Sequence, residues 1–504
     1  MALMGLDIGT TGCKASIFDE NGNLSSYAYK EYSIINNGPG HFEIDPEKVW
    51  EATKYVIAGA VKSNKGDKVT AISTSSLGES TVPIDVNGRV LYNSQLYMDT
   101  RGEEQCERLK TVIGLDKIME YTGLHAHPMY TICKVMWFRE KMPEIYKKVW
   151  KFMLFGDYIL YKLGNVSVLD YSLASRTMAF NIIKKEWENS IFEAAEIDCK
   201  AFSKPVASGV VVGSISRTIA NEVGLPEKVS LVTGGHDQIC AAIGGGIIKP
   251  GLAIDNIGTT ECIIPAFNKP FLNKSMLKNK FSCVPHAIDG MFATYAFNFT
   301  AGSLLKWYRD NFAAAELAES LKIGENVYSI LDKKAWREPT NILVLPHFAG
   351  SGTPYMDTSA RGAIFDLGFD VTPGKFYRAM LEGVNYEILY NIECLNDAGI
   401  HINELRAAGG GANSDLWLQI KADILGREIV ALNVAEAGCL GAAILAGVAT
   451  GTYSSISHAV ERLVNVRNVF YPSEKKHELY LENYYKYKKM YNVVKEVLSS
   501  SKAL

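Results

Sequence analysis

The chain has 504 residues, 47% of them hydrophobic and 21% charged, with a formal net charge of −3 and a pI near 6.4. That length predicts two domains of roughly 200 to 250 residues, because single cores stop growing beyond about that size. The near-balanced charge leaves no basic footprint for nucleic acid or an anionic membrane surface.

No apolar run reaches the roughly 20 residues a bilayer span needs, and the greasiest stretch, 229–248, is broken by glycines, His236 and Asp237. The first residues run straight into strand-like sequence with no signal-type segment, and nine cysteines form no CxxC pair. A reducing cytoplasm is the expected setting. His125 and His127 have no Cys, Asp or Glu at ligand spacing, so no metal site is read from them.

In chain order, a strand-like LMGLDI leads into Asp7-Ile8-Gly9-Thr10-Thr11-Gly12-Cys13-Lys14, and a second strand follows from Lys14 to Phe18. Asn21-Gly22 predicts a hairpin turn into a third strand, Leu24 to Tyr29, since both residues tolerate positive φ. Asp45-Pro46 opens a helix with Asp45 as N-cap, placing Val49, Thr53, Val56, Ile57 and Ala60 on one face. The strand from Val69 to Thr74 runs into polar Ser75 to Thr81, and Asn87-Gly88 marks another turn.

Polar residues after a buried strand sit where α/β folds place ligands, which makes Gly78-Glu79, Tyr97, Asp99 and Arg101 candidates. A plain surface-loop role is the alternative. Residues 102–200 read as mostly helical, and their aromatics as core.

The strand from Val229 to Thr233 delivers Gly234-Gly235-His236-Asp237-Gln238 into a helix. A carboxylate on a glycine-rich strand-to-helix turn suits a base, because backbone can approach substrate there and the helix N-terminus favours the ionised form. A simple N-cap is the alternative for Asp237. Lys249-Pro250-Gly251 breaks the pattern, dividing the chain into 1–248 and 249–504.

The second half then repeats the opening. A strand from Leu252 to Ile257 leads through Asn256-Ile257-Gly258-Thr259-Thr260-Glu261-Cys262 into a strand to Ala266, with a later hairpin turn at Asp289-Gly290. The two loops stand 249 residues apart, from Ile8 to Ile257, which predicts a duplication with two phosphate-holding loops facing one cleft. Further on, Thr372-Pro373 starts a long helix ending near Gly399. A strand from Leu405 to Ala408 meets Gly409-Gly410-Gly411-Ala412-Asn413, a surface on which a flat ligand can lie. Residues 438–447 read as a small-residue helix for close packing, and the tail from Lys475 as a polar helix.

The chain has neither a GxxxxGK[ST] loop nor a protein-kinase glycine loop with its HRD partner. Paired threonine loops offer another grip on a triphosphate, through amides and hydroxyls that donate without fixing a charge. The set DIGTTGCK, GGHDQ, NIGTTEC, the stretch from Gly362 to Glu387, and AGGGANSDLWLQIKADILG resembles the FGGY family of carbohydrate kinases over essentially the whole chain.

That resemblance implies an α/β fold of two ribonuclease-H-like domains, of the actin/Hsp70/hexokinase type, with an ATP and sugar cleft between them. It implies Asp237 as the base taking the proton of the sugar hydroxyl, and Asp7 acting on Mg²⁺ through water. Thr10, Thr11, Lys14, Gly258, Thr259, Gly410, Gly411 and Asn413 would hold ATP; Gly78, Glu79, Tyr97, Asp99 and Gln238 would join Asp237 around the sugar. The stretch from Gly123 to Trp137 is similar to xylulokinases and gluconokinases, which have Met-His where this chain has Gly78-Glu79; glycerol kinases have Arg-Glu there.

An ionised Glu79 is expected to disfavour a sugar acid and to favour a neutral ketose or polyol, D-xylulose first. Another ketose, glycerol, a longer polyol and gluconate stand as alternatives. From a different class, a non-catalytic ATP-binding protein or sugar sensor has no need for Asp237. Two departures from the family pattern are Asp366 in place of glycine and Lys375 in place of a smaller polar or acidic residue. Relatives commonly form homodimers, although no residue here establishes one.

Overall fold

A computed structural model describes residues 1–434 and 436–500; residues 435 and 501–504 of the expected second half lie outside the described residues. The opening residues build an antiparallel meander of β1 (Ala2–Ile8), β2 (Gly12–Phe18) and β3 (Leu24–Glu31). Its second turn falls at the expected Asn21-Gly22, with Gly22 at φ +77°. β4 (Val69–Ser76) joins β1 in parallel, β6 (Ser230–His236) joins β4 in parallel, and β5 (Val211–Ser214) lies antiparallel to β6 at the edge. The expected helix, α1 (Pro46–Ser63), is capped by the Asp45 carboxylate accepting from Glu47 N, and all five residues of its expected inner face are buried.

The second sheet repeats these pairings. β7 (Leu252–Ile257), β8 (Glu261–Phe267) and β9 (Ala296–Asn298) are successively antiparallel. β10 (Glu404–Ala408) joins β7 in parallel, β11 (Ile429–Leu432) joins β10 in parallel, and β12 (Val466–Phe470) closes antiparallel to β11. Each sheet therefore reads antiparallel, antiparallel, parallel, parallel, antiparallel around its first strand, the duplication that the two loops predicted. The copies differ in that β5 precedes its partner in the chain whereas β12 follows its own, and in that the second sheet adds two short strands, Val284–Pro285 and Phe292–Ala293, beside β8.

Two helices fill the space between the sheets, α2 (Asp237–Gly244) and a late helix, Ala437–Ala449, that packs on β1, β4 and β6 as well as on α2. The small residues of that late helix make the approach possible: a Cβ added at Gly441 would stand 1.9 Å from the Cys240 carbonyl oxygen. The long helix α3 (Pro373–Asp397) has Thr372 as its N-cap, and α4 (Asp415–Leu425) is capped by Ser414 and stopped by Gly426 at φ +62°. We number the late helix α5 and the C-terminal helix, Glu474–Ser500, α6.

Asp366 adopts φ +65°, the left-handed region, which explains the glycine usual there; Lys375 pairs with Asp370 at 2.7 Å on the surface. Among the described residues, no helix is long and apolar enough to cross a membrane, and all nine cysteines are free thiols.

Candidate active site

The strands of both sheets end at a shared cavity of about 340 Å³. Asp7 reaches it from β1, Asp237 and Gln238 from the turn after β6, Asn256 from β7, and Gly410 from the turn after β10. Ligands gather at the carboxyl ends of parallel strands because side chains and helix N-termini from successive turns converge there. Lys14, Glu436 and Gly438 complete the polar lining.

Asp7 accepts a 2.7 Å hydrogen bond from Ser75 Oγ, and burial raises its pKa. Lys14 Nζ donates to Glu436 Oε2 at 2.9 Å; burial works against its charge, but that bond and the neighbouring carboxylates reverse the effect and raise its pKa. Asp237 is the first residue of α2, with His236 as N-cap. Its Oδ1 accepts from Gln238 N at 2.6 Å. The helix start was expected to favour the ionised carboxylate. Burial, followed by the negative charges of Asp7 and Glu79, outweighs that bond and pushes the pKa up to about 7.

The loops themselves are tightly held. Gly9 N donates to Gly12 O at 3.0 Å, and Gly258 N to Thr260 O at 2.9 Å. Ala301 N and Ser303 Oγ both bind Thr259 O, anchoring the second loop to the helix that begins there. Thr10, Thr11, Gly258 and Thr259 flank the cavity on these loops and do not line it. Of the three glycines, only Gly410 leaves open space where a side chain would stand; Gly411 packs on Ile257, and Gly409 takes φ +88° against the Ile257 carbonyl. Asn413 is exposed at the start of α4.

Glu79 lies behind the cavity and is 5% exposed at φ +61°. Thr131 Oγ1 and Lys134 Nζ hold its carbonyl at 2.9 and 3.2 Å, which supports the left-handed backbone. Burial lowers the pKa of Lys134 to about 8. Glu79 Oε1 accepts from Arg176 Nε at 2.6 Å, and the guanidinium stands over the Tyr130 and Tyr295 rings at 5.2 and 5.5 Å. Glu79 is thus ion-paired with Arg176. Gly78 packs against Arg176 and His236.

Tyr97 is 42% exposed; burial of its hydroxyl, then the fields of Glu79 and Asp237, raise its pKa. Asp99 is placed differently: its oxygens accept from Arg101 Nε at 2.9 Å, Arg101 Nη2 at 2.7 Å and Phe42 N at 2.9 Å, so it braces a buried ion pair shared with Glu43. Both Asp99 oxygens are thus engaged by these donors. His125 is buried, and among the described residues no cluster of three or more His, Cys, Asp or Glu can hold a metal.

The structure therefore brings Asp7, Lys14, Asp237, Gln238 and Gly410 together, with Glu79 and Tyr97 behind them. Sequence reasoning missed Glu436, Asn256, Arg176, Lys134 and Tyr295. Asn256 could have been found as the counterpart of Asp7 in the second loop; the others arrive through tertiary contacts that leave no local pattern.

Two related sheets, a cleft with carboxylates on its strand ends and paired threonine turns define a phosphotransferase of the actin/Hsp70-like fold. Residues 2–244 match the FGGY family of carbohydrate kinases, N-terminal domain, and residues 255–450 match the C-terminal domain of that family. The chain belongs to the FGGY family of carbohydrate kinases, enzymes that use ATP as co-substrate. It is 30% identical to a xylulose kinase of Bacillus subtilis (strain 168) over 504 residues, 100% of this chain and 97% of that protein. It is likewise 30% identical to a gluconokinase of the same organism over 461 residues, 90% of this chain and 88% of that protein. In structure it resembles a ligand-bound xylulose kinase from Lactobacillus acidophilus, with a TM-score of 0.87, 23% identity and 98% of each chain covered.

Proposed function

We propose that this enzyme transfers the γ-phosphoryl group of ATP to a terminal hydroxyl of a small neutral sugar or polyol, with D-xylulose the first substrate and Asp237 the base. The observation that carries the reading is Asp237 itself: a carboxylate a third exposed to a cavity shared with Asp7, Lys14 and Gly410, with a pKa of about 7 that suits proton abstraction near neutrality. Its Oδ1 is taken by the Gln238 N–H, and Oδ2 is the oxygen that accepts the proton as the sugar oxygen attacks phosphorus. Glu79 Oε2 accepts from another sugar hydroxyl, while Tyr97 and Gln238 flank the sugar.

Thr10, Thr11, Gly258 and Thr259 donate hydroxyls and amides to the phosphates, Lys14 adds a charge, and Gly410, Gly411 and Asn413 border the adenosine. Asp7, a single carboxylate with no metal cage around it among the described residues, fits Mg²⁺ that arrives with the nucleotide and is held through water. When bound, that ion would neutralise the developing phosphate charge; the chain's own contribution is positioning. A reducing, ATP-supplied cytoplasm is the proposed setting.

The full-length match to a xylulose kinase favours a ketose, whereas the gluconokinase match spans less of both chains. An ATP-consumption screen over ketopentoses, polyols, glycerol and gluconate tests the substrate. Asp237→Ala tests the mechanism: sugar phosphorylation is expected to fall by about 10²–10⁴-fold, the usual contribution of a general base, with ATP binding retained. Unchanged turnover in that variant would refute the assignment.

A further inference from the structure

His236 ends β6 immediately before Asp237 and is 7% exposed, yet each ring nitrogen meets a polar partner. Nδ1 lies 3.0 Å from the Tyr295 hydroxyl, and Nε2 lies 3.3 Å from Asp237 Oδ1. Tyr295 belongs to the second sheet's side of the molecule, in the turn just before β9, and its ring also carries the Arg176 guanidinium that pairs with Glu79. A chain of contacts thus joins the candidate sugar end of the cleft to the candidate base.

Burial, then the Arg176 charge, hold the pKa of His236 well below its ordinary value, so the ring is neutral and has a single N–H. With Asp237 ionised, as a base must be, only one tautomer suits both neighbours. The Tyr295 O–H donates to Nδ1, and Nε2–H faces the carboxylate; the other tautomer would set a lone pair against Oδ1. Oδ1 then faces two N–H groups, that of Gln238, hydrogen-bonded at 2.6 Å, and Nε2–H of His236 at 3.3 Å.

We infer that His236, held in one tautomer by Tyr295, is a positioning residue that fixes Asp237 Oδ1 and reserves Oδ2 for the substrate hydroxyl. The inference rests on Asp237 as the base. Its effect belongs in kcat more than in KM, because a carboxylate that swings between orientations still binds sugar but meets the reacting proton less often. At 3.3 Å the Nε2–Oδ1 contact is a close approach and not a formed hydrogen bond, and catalytic hydrogen bonds are often long or poorly aligned before substrate is in place.

Three near-isosteric changes test it in the full-length enzyme. His236→Met, which keeps the reach but has no donor, is expected to lower kcat about 30- to 100-fold, the scale of a misplaced catalytic group, with KM for sugar and ATP within about threefold. His236→Gln, whose amide can donate from the place of Nε2, is expected to return kcat to within about tenfold of the parent. Tyr295→Phe should lower kcat in the parent and add little to His236→Met, the non-additivity of groups that act through one another.

The inference is overturned if His236→Met keeps kcat within about threefold of the parent, if folded His236→Gln is no better than folded His236→Met, or if Tyr295→Phe costs the same in both backgrounds. Asp237→Ala separates the two failures. An inactive Asp237→Ala beside a fully active His236→Met removes only the positioning role, whereas an active Asp237→Ala removes the base.

Discussion

The acid limb of the rate profile follows from where Asp237 sits. Burial, with Asp7 and Glu79 adding negative charge, raises its pKa to about 7, so a base of this kind is competent above that pH and is lost as pH falls through it. For a single group of pKa about 7, roughly a tenth is ionised at pH 6 and roughly nine-tenths at pH 8. The value of kcat/KM for sugar should therefore rise about tenfold between those two pH values. Glu79→Gln provides the perturbation: it removes one negative neighbour and leaves Arg176 unbalanced nearby, and both changes favour the carboxylate. The limb should move to lower pH, whatever happens to the absolute rate. The assay is ADP release at limiting sugar and saturating ATP, with coupling enzymes in excess at every pH. A flat profile from pH 6 to 8, or a limb that moves up in Glu79→Gln, would refute the reasoning.

Two further expectations concern stability. Arg176→Met strands the buried Glu79 carboxylate and should cost about 3–5 kcal/mol, seen as a lower thermal transition, with part of the loss recovered in Arg176→Met/Glu79→Gln. Gly441→Ala forces α5 away from the Cys240 carbonyl, which a Cβ would approach to 1.9 Å, and should reduce the yield of folded protein or lower its transition sharply, read by thermal denaturation of the purified variant.

What the sequence reveals and what it hides divides along a physical line. β1, β7, the hairpin turns, α1 and α3 follow from local rules, since an Asn-Gly pair, an Asp-Pro cap or alternating burial needs no distant partner. Asp7, Asp237 and Gly410 are legible for the same reason: each lies where a strand runs out. Asp99 looks like them in the sequence, but Arg101, two residues on, captures its carboxylate. Arg176 and Tyr295 gain their significance only when Glu79 and His236 are brought beside them, from 97 and 59 residues away. Glu436 meets Lys14 across 422 residues, and no spacing announces that pair.

The duplication also explains why two matching loops serve one reaction centre. Aligned on Ile8 and Ile257, Asp7 faces Asn256, and Lys14 faces Ile263. The first wall of the cleft carries charge; the equivalent places on the second are neutral. The place of Gly12 is taken by Glu261, which does not face the cleft: it is fully buried and, with Asp255, grips Lys421. Burial and the neighbouring Asp255 raise the pKa of Glu261 despite that lysine, so the second loop stands on a closed polar core rather than on a free carboxylate. A base or metal-directed carboxylate on both walls would set like charges around the same triphosphate. On the proposed reading, confining them to one wall leaves the other to hold phosphate and nucleotide by backbone and hydroxyl, with Asp237 as the single base.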